Sequence, residues 1–211
     1  YVKLDEGQGS KGAFILRERK QFDELKDPEN YVITEFLPGE ELTIDCFTDR
    51  HGNLQFVGPR IRKRVFDGVC VNSITVEATD EIKAIGKIVS DQIGIRGSWY
   101  FQLKRDADGN YKLLEASNKI AGNMNVFRGL GVNFPMLTVY DYLDYDVQVF
   151  SNDYVLEGER ALLSRYIAYF EYDIIYIDFD DTITKNDKVN ANVMLFLYHQ
   201  KAKGRIIKLI T

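Results

Sequence analysis

Between residues 31 and 115 the apolar positions fall in short runs rich in β-branched and aromatic residues, cut by clusters of Gly, Asn and Asp. Tyr31 to Glu35, Leu42 to Thr48, Gln55 to Gly58, Trp99 to Lys104 and Tyr111 to Glu115 read as strands. Two of the gaps share one punctuation, Asp49-Arg-His-Gly52-Asn53 and Asp106-Ala-Asp-Gly109-Asn110. Gly and Asn tolerate positive φ, so each gap predicts a hairpin turn and the strands an antiparallel sheet. Between the hairpins the period changes. From Thr79 to Ile93 the apolar residues Ile82, Ile85, Ile88 or Val89, and Ile93 recur at helical spacing, with Asp80 and Glu81 in the first turn and Gly94 as a stop. A helix laid on antiparallel strands gives an α+β class, with two α+β units over residues 1–150 and no internal repeat.

Beyond about residue 172 the pattern changes again. Asp173 to Asp178 is an almost unbroken apolar run, Val189 to Gln200 is helical, and Arg205 to Ile210 is another β-branched run. Strand, helix and strand at this length predict the opening of a parallel α/β sheet. A second domain is expected over 173–211, joined by a connecting segment, 151–172. The chain opens in mid-strand without Met and closes on a strand, and reads as a piece of something longer.

With 45% hydrophobic and 28% charged residues in 211, the chain is of the ordinary globular type. Its net charge is −5. Lys185 to Thr211 carries six basic residues against Asp187 alone, so this tail is +5 and the remainder −10, and no uniform basic face offers itself to nucleic acid. Cys46 and Cys70 are too few to staple a domain of this size and point to a reducing compartment. No apolar run approaches the ~20 residues of a bilayer span, and the first residues do not resemble a signal peptide, so a cytoplasmic location is expected.

Chemistry-bearing residues gather in a few places. Lys3 ends a strand-like run and is followed by Gly7, Gly9, Ser10 and Gly12, a loop whose glycines let main-chain N–H groups approach a phosphate. Its spacing fits neither the P-loop nor the dinucleotide fingerprint. Val32 to Glu35 then leads through Phe36 and Leu37 to a Pro38-Gly39 turn bearing Glu40 and Glu41, and a second strand follows. In this order the segment resembles the ATP-grasp superfamily, and within it the relatives of the carbamoyl-phosphate synthase large subunit. The resemblance implies an ATP-grasp fold of two α+β subdomains with antiparallel sheets. It also implies that Lys3 and the loop of Gly7, Gly9, Ser10 and Gly12 hold ATP phosphates, that Glu35, Phe36 and Leu37 form the hinge facing adenine, and that Glu41 binds ribose hydroxyls.

Gln102 and Glu115 flank the second hairpin, and pairing across the turn would put both on one face. Oxygen ligands of this kind suit Mg²⁺, which keeps waters and takes its remaining ligands from nucleotide phosphates. The resemblance implies the same site, with an Asp, Glu or Gln on the first strand and Glu-x-Asn on the second. Gln102 and Glu115 match, but Ser117 stands where Asn is usual, Asn118 falls one place late, and Lys119 stands where Arg is common. Either Ser117 or Asn118 would complete the set. Arg60, Arg62, Lys63 and Arg64 follow what reads as a Gly58-Pro59 turn, and Arg128 lies further on. Guanidinium groups bind phosphoryl oxygens bidentately, which makes Arg62 and Arg128 catalytic candidates. In the family ATP phosphorylates a carboxylate and an amine captures the acyl phosphate. The resemblance therefore implies small-molecule carboxylate and amine substrates, with no nucleic acid and no membrane partner. Such catalysis rests on positioning and electrostatics, and His51 and His199 read as structural.

Ile177-Asp178-Phe-Asp180-Asp181-Thr182 places three carboxylates within four residues, which repel unless a cation or proton sits between them. This segment resembles the first motif of the haloacid dehalogenase-like (HAD) hydrolases, and Arg205 to Thr211 resembles their next strand. The resemblance implies the start of a parallel, Rossmann-like α/β HAD domain, with Asp178 as nucleophile, Asp180 as general acid and base, and Thr211 on phosphate. Two functions stay open: an ATP-dependent carboxylate–amine ligase fused to the start of a HAD-like domain, or a phosphohydrolase with an accessory nucleotide-binding part. A noncatalytic nucleotide binder is a third, resting on the irregular Glu115-Ala-Ser-Asn-Lys119 stretch.

Overall fold

The computed structural model describes residues 1–6, 12–66, 69–160, 165–186 and 188–210. They form two compact units, Tyr1–Ala168 and Tyr169–Thr211. The first unit opens with an antiparallel pair, β1 (Val2–Leu4) and β2 (Tyr31–Ile33), on either side of a short helix, α1 (Arg19–Asp23). Its main sheet contains β3 (Glu41–Thr48), β4 (Leu54–Phe66), β5 (Val69–Thr75), then, after helix α2 (Asp80–Ile93), β6 (Gly97–Arg105) and β7 (Tyr111–Ser117). Helix α3 (Phe134–Tyr142) precedes the last two strands, β8 (Val155–Glu159) and β9 (Arg165–Tyr169). The order across the sheet is β7-β6-β3-β4-β5-β8-β9. Residues 151–172, expected to be a connector, thus supply two strands of the same sheet.

The two hairpin turns are built alike. Asp49 Oδ1 accepts from the N–H groups of His51 and Asn53, both at 2.9 Å, while Asp106 Oδ1 accepts from Asp108 at 3.0 Å and Asn110 at 2.8 Å. Gly52 and Gly109 take φ of 81° and 86°, where a side chain would be strained. Helix α2 begins at its Thr79 cap, whose hydroxyl accepts from Ile82 N–H, and ends at Gly94 with φ 66°. Of the expected apolar face, Ile82 and Val89 are buried, whereas Ile88 and Ile93 are exposed.

The expected Gly58-Pro59 turn does not form: both residues lie inside the continuous strand β4. Gly58 is required there because a Cβ would stand 2.5 Å from the Phe56 ring and 2.7 Å from that of Phe127. The Pro59 carbonyl accepts from Val76 N–H, one residue past the end of β5. Since N–H and C=O of one residue face the same neighbour in an antiparallel ladder, the missing donor falls where that ladder has ended.

The sheet has two unlike faces. On one, Leu42, Ile44, Cys46, Trp99, Phe101 and Leu103 receive Ile82 and Val89 of α2. On the other, Phe47 is covered by Val126, Phe127, Leu130 and Phe134, from the 3-10 stretch Met124–Leu130 and the start of α3. Further along β3 and β6 that second face carries Glu41, Thr43, Asp45, Tyr100, Gln102 and Lys104. Both cysteines are free.

In the second unit β10 (Ile174–Asp178), the short pair β11 (Thr184–Lys185) and β12 (Lys188–Val189), helix α4 (Ala191–Ala202) and β13 (Ile206–Ile210) follow in order. β10 and β13 pair in parallel from Ile174 with Ile206 to Asp178 with Ile210. Asn190 caps α4 by accepting from Val193 N–H, and Tyr172 donates to Gln200 on that helix at 2.9 Å.

Candidate functional site

Period-2 alternation puts Glu41, Thr43 and Asp45 of β3 beside Lys104, Gln102 and Tyr100 of β6 on the polar face. The β1–β2 pair and the segment after it stand over this face, enclosing a cleft of about 440 Å³. One wall carries Lys3, Leu4 and the Thr34–Leu37 segment; the other carries Glu41, Arg62, Gln102, Lys104 and Glu115. The volume lies in the range of about 300–1,000 Å³ usual for small-molecule sites. Thr34 to Glu40 lies between β2 and β3, so the main chain of Glu35, Phe36 and Leu37 belongs to neither strand. Gly39 ends this segment: its N–H bonds Arg105 carbonyl at 3.0 Å, and a Cβ would lie 2.5 Å from that of Arg105.

Charge in the cleft is mixed. Glu41 accepts from Arg62 Nη1 at 2.9 Å and faces Lys104 Nζ at 3.7 Å. Gln102 and Glu115 are direct partners across β6 and β7, immediately before a bulge. The Gln102 amide donates to Thr43 Oγ1 at 3.3 Å, and Tyr100 donates to Glu115 Oε1 at 3.2 Å. Burial raises the Tyr100 hydroxyl above its ordinary pKa, and the Glu115 carboxylate adds to the rise. Beside Tyr100 on the same face, Arg60 Nε donates to Asp45 Oδ2 at 2.6 Å, with both side chains nearly inaccessible. Burial pushes the Asp45 carboxyl up, and the Arg60 guanidinium pulls it partly back.

The cleft therefore brings together Lys3, Glu35, Phe36, Leu37, Glu41, Arg62, Gln102 and Glu115. Gly12, at φ 72°, lies against the wall residue Leu4. Gly7, Gly9 and Ser10 lie outside the described residues, as does Thr211. Ser117 pairs with Tyr100 two positions along the ladder and Asn118 sits past the end of β7; neither lines the cleft. Arg128 lines a different, smaller cavity. Asp178 ends β10 in the second unit, and Asp180 is exposed in the loop after it. Among the described residues no group of three or more His, Cys, Asp and Glu side chains is placed to hold a metal. Lys104 and Lys112 were missed; Lys104 is two positions from Gln102 and so shares its face, a relation legible once β6 is assigned.

No helix is long and apolar enough to cross a membrane among the described residues. No curated protein matches the chain. Among solved structures, N5-carboxyaminoimidazole synthetase from Staphylococcus aureus, complexed with ADP, is similar at TM-score 0.61 and 11% identity, over 75% of this chain and 44% of that one. The phosphoribosylaminoimidazole carboxylase ATPase subunit from Aquifex aeolicus is similar at TM-score 0.54 and 14% identity, over 61% and 40%. The biotin carboxylase domain of Hydrogenobacter thermophilus 2-oxoglutarate carboxylase, in complex with MgADP and bicarbonate, gives TM-score 0.52 and 15% identity, over 59% and 30%. The chain thus spans less than half the length of each. Residues 27–158 match the family described as ATP-grasp in the biosynthetic pathway with Ter operon. On that match and this fold, the chain belongs to the ATP-grasp family.

Proposed function

We propose that the first unit binds ATP with Mg²⁺ and is the core of an ATP-dependent carboxylate–amine ligase working through an acyl phosphate. The observation that carries this reading is the convergence of Lys3, the Glu35–Leu37 main chain, Glu41, Gln102 and Glu115 on one cleft. Lys3 meets phosphate, the Glu35–Leu37 segment meets the base, and Glu41 meets the ribose once it exchanges its contacts with Arg62 and Lys104. Arg62, released from Glu41, meets phosphoryl oxygen. One amide and one carboxylate oxygen source fit Mg²⁺, which is commonly held by one or two carboxylates plus nucleotide phosphates. Gln102 and Glu115 would hold it, and the ion would neutralise phosphate charge; Ser117 and Asn118 are secondary candidates. Calorimetric titration with a nonhydrolysable ATP analogue and Mg²⁺ tests binding, and an ADP-release screen with amino acids tests the reaction. Absence of analogue binding would sink the reading.

For the second unit we propose the start of a HAD-like fold, with Asp178 as nucleophile and Asp180 as acid and base. The parallel pairing of β10 with β13 supports this, since it puts Asp178 at a strand end beside Ile210. The boundary between Ala168 and Tyr169 supports a junction later than residue 150. Loss of phosphatase activity on Asp178→Asn, with ADP release retained, would favour the phosphohydrolase as a separate function.

A further inference from the structure

The two oxygen-bearing side chains that face each other across β6 and β7 each have one polar atom engaged by a neutral hydroxyl. The Gln102 amide nitrogen donates to Thr43 Oγ1 at 3.3 Å, with Thr43 directly opposite on β3 and buried. That bond occupies the nitrogen and leaves Gln102 Oε1, the atom a cation needs, without a partner among the described residues. Glu115 is held from the side. Tyr100 stands two residues before Gln102 on the same face of β6 and does not line the cleft. Its hydroxyl reaches diagonally across the ladder and donates to Glu115 Oε1 at 3.2 Å, while its direct partner on β7 is Ser117. Glu115 Oε2 has no partner among the described residues.

We infer that Tyr100 restricts Glu115 to one oxygen toward a cation and so selects Mg²⁺ over Ca²⁺ at this site. Mg²⁺ requires a near-octahedral set of close oxygens and keeps waters, so one oxygen from Glu115 and one from Gln102 suffice beside nucleotide phosphate. Ca²⁺ takes about six to eight oxygens and gains from a carboxylate that turns both of its own toward the ion. To offer both, Glu115 has to give up the Tyr100 hydroxyl, and a hydrogen bond to a charged acceptor is stronger than one between neutral groups. Tyr100 is thus a positioning residue that acts on the cation through Glu115. The inference rests on reading Gln102 and Glu115 as the cation's ligands, and adds which ion they prefer and why.

The test measures the affinity of the full chain for a nonhydrolysable ATP analogue by calorimetry, in saturating Mg²⁺ and again in saturating Ca²⁺. The unaltered protein should bind the Mg²⁺ form more tightly. Tyr100→Phe keeps the ring and removes the hydroxyl. It should raise the Ca²⁺ affinity relative to the Mg²⁺ affinity by about tenfold, the order of one hydrogen bond to a charged group. Thr43→Val frees the Gln102 amide instead, and should weaken binding in both ions without moving their ratio. A ratio unmoved by Tyr100→Phe, or moved as far by Thr43→Val, would overturn the inference alone, provided Glu115→Gln weakens binding in both ions. Should Glu115→Gln leave both affinities intact, the ligand reading falls and takes this inference with it.

Discussion

Asp45 on β3 and Arg60 on β4 bury opposite charges against each other, and neither can lose its partner without leaving an uncompensated ion. Arg60→Met is expected to destabilise the protein by about 3–5 kcal/mol, measured by urea unfolding, while Asp45→Leu with Arg60→Met together should cost far less. At the cleft, Glu115→Gln should keep the fold, as judged by melting, and reduce ADP release by roughly a hundredfold if the carboxylate holds the Mg²⁺ that neutralises phosphoryl charge. Glu115 and Gln102 were legible because a hairpin with a recognisable turn fixes who faces whom. The Asp45–Arg60 pair was not: Arg60 sits in a basic run that reads as surface, yet its guanidinium is buried on Asp45 of the neighbouring strand and beside Cys70 of β5.

The turns at Asp49 and Asp106 carry a pH dependence with a definite sign. Burial acts to raise the Asp49 carboxyl, but donors from Asn53, Gln55 and His51 outweigh it and hold the group below its ordinary value. Such a group contributes stability above the unfolded pKa of about 3.9, and the contribution is lost as pH falls through the lowered folded value. Asp49→Asn should therefore flatten the acid limb of a plot of urea midpoint against pH; an unchanged limb would contradict the assignment. Removing the α2 cap by Thr79→Ala should cost about 1 kcal/mol in the same assay. These elements were legible because turn and cap chemistry is local. Strand β4 was not, since Gly58-Pro59 ordinarily punctuates a chain and here is tolerated by aromatic rings and by the end of the β5 ladder.

At the scale of the molecule, a saturating ATP analogue at about a hundred times its Kd should stabilise the unit that binds it by about 2.7 kcal/mol. Hydrogen exchange should report that gain within residues 1–168; gain confined to 169–211 would contradict the assignment of the nucleotide to the cleft. The parallel pairing of residues 174–178 with 206–210 was legible from the strand–helix–strand period, whereas β8 and β9 were not, because their short runs lack hairpin punctuation. Seven of the eight residues of β3 are buried, and both its edges are paired. Its amides should consequently be among the last to take up deuterium, and that slowness supplies an internal reference: a variant silent in turnover whose β3 stays protonated has been changed in its chemistry, while one whose β3 exchanges early has come undone.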